Sequence, residues 1–195
     1  MVPRTLILSL WLAVVGATAL AQDLPALLDV RGVASNDVLN IRAAPSAKAQ
    51  ILGALAPNAR VEGLAQSEDG RWIQVNAGET SGWASARFLA RRPHAGHETQ
   101  AMQCFGTEPF WDVTLNTGSD GFTAAGSPQA PLTWVTLVRS TNRSDRWAWR
   151  AADGSLAMLR LSACSDGMSD RAYGLSVDLI RDGALLSGCC SLDVQ

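Results

Sequence analysis

Four cysteines, at 104, 164, 189 and 190, have the greatest capacity for chemistry in this chain. Vicinal thiols at Cys189-Cys190 fit a redox or metal-thiolate site. In an exported protein, four cysteines more simply form two structural disulfides. Of the three connectivities, one needs a ring between the adjacent Cys189 and Cys190, which is strained relative to ordinary disulfide geometry. The other two join Cys104 to one member of the pair and Cys164 to the other. Successive side chains on a strand point to opposite faces, so Cys189 and Cys190 are expected to serve different partners. The expectation is two disulfides and no free thiol, with the choice between the two pairings open.

Asp166-Gly-Met-Ser-Asp170 places two carboxylates and a hydroxyl on one short segment that Tyr173 closes. Oxygen ligands of this kind suit a hard cation, and Glu108 and Asp112 would add to them if their segments met. The spacing is not that of an EF-hand. The alternative is a turn in which Asp166 and Asp170 accept hydrogen bonds from nearby amides. His94-Ala-Gly-His97 resembles a zinc pair in residue type, but Glu98 is its only local companion, so a solvated linker is the expectation. Arg42, Trp72 and Trp83 are the binding candidates: tryptophan offers a flat apolar face and a donor, suited to peptide backbone or sugar rings. Trp72 is out of phase with Ile73 and Val75 and is expected to lie partly exposed beside Arg42, whereas Trp83 follows Gly82 and is as well suited to packing the last strand. No catalytic residue, resident metal or cofactor is assigned.

The elements that must position these residues are short strands. Leu39 and Ile41 alternate with Asn40 and Arg42, and Ile73 and Val75 with Trp72 and Gln74, the period of a half-buried strand. Asn36-Asp37, Pro45-Ser46, Pro57-Asn58 and Asp69-Gly70 supply turns at intervals of roughly ten residues, as in small barrels. Residues 91–100 lack apolar periodicity and read as a linker. Beyond it, Trp111/Val113/Leu115, Trp147/Trp149, Leu159/Leu161 and Leu175/Val177/Leu179 alternate with polar or small residues. Asp153-Gly154 and Asp182-Gly183 are hairpin turns. The chain is therefore expected to be all-β: a first module at 22–90, a linker at 91–100, and a disulfide-stapled antiparallel barrel or coiled sheet at 101–195.

Residues 1–21 read as a secretory signal, with Arg4, an apolar core from Thr5 to Gly16, and Ala19-Leu20-Ala21 before Gln22. The apolar run is shorter than the roughly 20 residues of a membrane span. Cleavage between Ala21 and Gln22 is expected to release a soluble periplasmic protein with no transmembrane anchor. The formal net charge is −2. Residues 22–93 carry 8 basic and 7 acidic groups and residues 94–195 carry 7 and 11, so neither half has the basic excess that nucleic acid requires.

Two resemblances follow from the motifs. Val-Leu-Asn-Ile-Arg-Ala-Ala-Pro-Ser (38–46), Ile-Leu-Gly-Ala-Leu (51–55), Arg-Trp-Ile-Gln-Val (71–75) and Gly-Trp-Ala-Ser-Ala-Arg-Phe-Leu (82–89) resemble the bacterial SH3-like domain. That resemblance implies a small barrel recognising peptide, including the peptide stems of cell-wall peptidoglycan. Cys104-Phe-Gly-Thr-Glu-Pro-Phe-Trp111, the segment from Cys164 to Tyr173, and Leu186-Ser-Gly-Cys-Cys190 resemble an uncharacterised family of bacterial envelope proteins and lipoproteins, which implies an envelope role and no catalytic residue. The functional expectation is an exported, non-enzymatic binding protein whose partner is a peptide, a peptidoglycan stem or an envelope protein. The alternatives are an inhibitor of a wall-degrading enzyme, presenting the segment 165–172 as a protruding loop, and a wall-acting enzyme. The second module lacks a Cys-His pair for the latter.

Overall fold

The computed structural model describes residues 24–93, 96–116 and 120–192. The signal segment, its Ala21–Gln22 junction and His94 lie outside the described residues. Strands β1 (Ala26–Val30), β2 (Leu39–Arg42), β3 (Ile51–Leu55), β4 (Arg60–Gly63), β5 (Ala65–Gln66), β6 (Trp72–Ala77), β7 (Thr80–Ser85) and β8 (Leu89–Arg91) build the first module. They form a three-stranded sheet, β4-β1-β8, and a five-stranded sheet, β3-β2-β7-β6-β5. The expected alternation holds: Leu39, Ile41, Ile73 and Val75 are buried with Leu28, Val30, Val61 and Ala84 in one core. Gly82 lets β7 meet β2 closely, since a Cβ there would lie 2.7 Å from Ile41 Cγ2 and 2.9 Å from the Arg42 carbonyl oxygen. The central strand of the smaller sheet, β1, precedes the first strand read from the sequence pattern.

The second module comprises β9 (Met102–Thr107), β10 (Phe110–Leu115), β11 (Asp120–Ala124), β12 (Ala130–Leu132), β13 (Trp134–Arg139), β14 (Arg146–Ala151), β15 (Leu156–Cys164), β16 (Tyr173–Arg181) and β17 (Ala184–Leu192). Their order is β12-β11-β10-β9-β17-β16-β15-β14-β13, antiparallel throughout. The two edge strands, β12 and β13, are consecutive in the chain with only Thr133 between them. The sheet therefore curls into a nearly closed up-and-down barrel, which leaves little exposed edge. Met102, Cys104, Trp111, Val113, Leu115, Trp147, Trp149, Leu159, Leu175, Val177 and Leu179 fill it. Asp182 and Gly183 both have positive φ, at 49° and 78°, the backbone of a type I′ hairpin.

Both disulfides form, Cys104–Cys190 and Cys164–Cys189, and no described cysteine is free. Cys104 sits directly opposite Cys190 in the β9–β17 ladder, inside the barrel. Cys189 points the other way and reaches across β16 to the end of β15. The vicinal pair is thus divided between two bridges, and the redox or metal-thiolate reading of Cys189-Cys190 is corrected.

Candidate functional site

A groove of about 1160 Å³ opens on the first module. One wall comes from the loop between β1 and β2 and from the turn after β2. The other comes from Gly70, Arg71 and Trp72 at the start of β6 and from Ser85 to Phe88 after β7. Ser85 pairs with Trp72, and the Ala86 amide donates to the Arg71 carbonyl at 2.9 Å, so these two stretches are held side by side. Arg42 and Trp72 both line the groove, and Trp72 is partly exposed. Arg42 is steadied by donating from Nη1 to the Ala49 carbonyl at 2.8 Å. Trp83 is opposite Arg42 and Gln74 in the ladder and is also partly exposed, but it lies outside the lining of this groove. Sequence reasoning missed Phe88 and Arg87. The Arg87 guanidinium lies 4.4 Å from the Phe88 ring centroid, a cation–π contact that adds a second aromatic plane to the wall. Their signal was the motif ending in Ala-Arg-Phe-Leu, whose turn after β7 is what aims them.

Most of the groove lies in a segment that matches a known domain. Residues 37–90 match the model of the bacterial SH3 domain family. The match begins just before β2 and ends within β8, so it encloses most of the groove wall. A comparison with curated proteins finds no match for the chain.

The segment 164–173 has a different use from the one its composition invites. Asp166 accepts from the Met168 amide at 3.0 Å, the Ser169 amide at 2.9 Å, the Ser169 hydroxyl at 2.8 Å and the Tyr173 hydroxyl at 3.1 Å. Burial pushes its carboxyl up, but these hydrogen bonds outweigh that and bring the pKa to about 2. Both oxygens are engaged, as in the turn alternative. Beyond Asp166 the segment docks on the tip of the β6–β7 hairpin. The Asp170 amide donates to the Glu79 carbonyl, and Arg171 Nη1 donates to the Gly78 carbonyl at 2.9 Å. Asn76 donates to the Ala172 carbonyl and accepts from the Ala172 amide, both at 3.0 Å.

Glu108 and Asp112 do not join this segment. Glu108 is exposed in the turn before β10, and Asp112 accepts from Gln103 Nε2 at 3.3 Å. The two blocks do meet, through the Thr107 hydroxyl donating to the Asp166 carbonyl and through Phe105 set edge-on to Tyr173. Among the described residues no three His, Cys, Asp or Glu side chains converge as metal ligands. The Asp170 side chain is exposed. Asp166 thus forms the turn of the alternative reading, and residues 170–172 clasp the first module.

The stretch expected to be a solvated linker is buried at His97 and Glu98. His97 Nε2 donates to the Pro25 carbonyl at 2.7 Å, and its ring packs against Trp147. Glu98 pairs with Arg139, and Asn116 Nδ2 donates to the Glu98 and Gln100 carbonyls. A second tie between the modules is Glu62, buried on β4, whose Oε1 accepts from the Leu192 amide at 3.1 Å. Burial raises the Glu62 carboxyl to about 7, against the lowering effects of that hydrogen bond and of Arg171.

Proposed function

We propose that this chain is an exported, non-enzymatic binding protein of the bacterial cell envelope whose SH3 domain recognises peptide, the peptide stems of peptidoglycan foremost. The observation that carries this reading is the open groove walled by Trp72, Phe88 and Arg42 within the segment matching the bacterial SH3 domain family. Aromatic faces beside polar groups suit an extended backbone, which needs apolar contact and hydrogen bonds together. The groove lies at the Trp72–Ser85 end of the hairpin, whereas the clasp occupies the Asn76–Thr80 end, so docking of the second module leaves it open.

Two disulfides in so short a chain support an oxidising compartment, and the signal-like residues 1–21 support export. Among the described residues no helix is long and apolar enough to cross a membrane. The likeness of the second module to envelope proteins and lipoproteins supports the same setting. The inhibitor alternative, which a protruding loop at 165–172 would suit, is less favoured, because the backbone of Asp170 and Ala172 bonds to Glu79 and Asn76 and the Arg171 side chain donates to the Gly78 carbonyl. The deciding experiment is sedimentation of the purified protein with peptidoglycan sacculi, alongside a muropeptide turnover assay. Co-sedimentation without turnover is expected. Turnover would identify an enzyme, and absence of co-sedimentation would remove the wall as partner.

A further inference from the structure

The charge of the groove is uneven. Its lining holds three guanidiniums, Arg42, Arg71 and Arg87, against one carboxylate, Asp37. Asp37 is turned to its own loop and accepts from the Val38 amide at 2.8 Å. Arg71 is paired through Nε with Asp69 at 2.7 Å. Among the described residues, neither Arg42 nor Arg87 has a carboxylate within ion-pair distance. Arg42 uses one N–H for the Ala49 carbonyl, and Arg87 lies over the Phe88 ring. A guanidinium carries five N–H donors in a planar fork that matches a carboxylate, so donors remain on both. The groove, at about 1160 Å³, is also larger than the 300–1,000 Å³ usual for compact ligands, which leaves room for an extended chain.

We propose that the groove takes the carboxylate-bearing end of an extended peptide, held by the guanidiniums of Arg42 and Arg87 while Trp72 and Phe88 receive the neighbouring residue. This rests on the peptide-binding reading and narrows it to peptides with a free C-terminal carboxylate. Charge-assisted, bidentate pairing supplies the preference, because the amide of the same peptide cannot accept two parallel N–H bonds from one fork.

The test uses the full mature chain and an array of mixed-sequence short peptides, each made both as the C-terminal free acid and as the amide. Fluorescence anisotropy at low salt is expected to show the free-acid members binding at least tenfold more tightly than their amides. Arg87→Gln, on an exposed turn, is expected to shrink that preference severalfold. The pair Arg42→Gln/Arg87→Gln is expected to reduce it to within about twofold. Circular dichroism of each variant reports folding, and Arg87→Gln alone keeps the test meaningful if loss of the Arg42–Ala49 bond unfolds the domain. Equal binding of acid and amide, or a preference untouched in a folded Arg87→Gln protein, overturns the carboxylate inference and leaves the peptide reading standing. Failure of every member to bind in either form overturns both.

Discussion

Asp166 is the hub of a turn, and its four hydrogen bonds describe how single residues hold this molecule. Its pKa of about 2 lies below the ordinary carboxylate value, so the stability it contributes is present above about pH 4 and is lost as pH falls through 2. Glu62 has the opposite sign. With a folded pKa near 7 against 4.5, the folded state holds its proton more tightly than the unfolded state. The contribution of Glu62 is therefore greatest below about pH 4.5 and declines as pH rises towards 7, by about 3 kcal/mol at most from a shift of this size. Glu62→Gln keeps an oxygen acceptor for the Leu192 amide and removes the ionisation. Urea melts at pH 5 and pH 8 are expected to differ less for this variant than for wild type; an unchanged difference would show that Glu62 does not ionise in this window. At the groove, Trp72→Ala is expected to weaken peptide capture about tenfold, the scale of an aromatic anchor. The melting temperature should shift by only a few degrees, because the ring is part-exposed. A large loss of stability with unaltered capture would assign Trp72 to the core.

The β6–β7 hairpin is the element with two jobs. Its open end lines the groove, and its tip receives the clasp, with the Asn76 amide group standing in for a strand's paired N–H and C=O. Asn76→Ala removes both bonds at once. Differential calorimetry is expected to resolve two transitions in the variant where wild type shows one, and a single unshifted transition would mean the clasp contributes little to coupling. Strand β17 is the other shared element. It bonds both β9 and β16, carries Cys189 on one face and Cys190 on the other, and ends on Glu62. The two bridges span 25 and 86 residues. Chain-entropy reasoning assigns loops of that size about 3–5 kcal/mol each, with measured values often lower. Replacing either pair by serine is expected to unfold the barrel near physiological temperature while the near-ultraviolet signal of Trp72 and Trp83 persists, since the SH3 domain has its own cysteine-free core. Thiol titration of denatured, unreduced protein should find none.

On the scale of the whole molecule, one module offers a groove and the other is a braced barrel tied to it through Glu62–Leu192, through the segment from Asp170 to Ala172, and through Leu27, which packs against the barrel core. The proposed export has its own test. N-terminal sequencing of protein from the envelope fraction is expected to start at Gln22, and retention of Met1 would contradict a cleaved signal.

Half-buried strands write their faces into a period of two, so Leu39/Ile41, Ile73/Val75, Trp111/Val113/Leu115 and Leu175/Val177/Leu179 are legible as core in the sequence. The count of disulfides was legible for the same local reason, because neighbours on a strand diverge. Local pattern failed where burial is not periodic. Strand β13 is exposed along Val135–Arg139 and shows no alternation. Strand β1 does alternate in burial, but Leu27 occupies a half-buried position between buried Ala26 and Leu28, so the residue types do not show it. Tertiary structure decided what depends on distant partners. Cys104 takes Cys190 because β9 and β17 are paired in register. His97 and Glu98 are buried because Pro25 and Arg139 meet them. Asp170 to Ala172 form a clasp because the hairpin tip lies against them. Each of these is a contact between residues tens of positions apart, and side-chain type alone states a capacity to bond without stating to what.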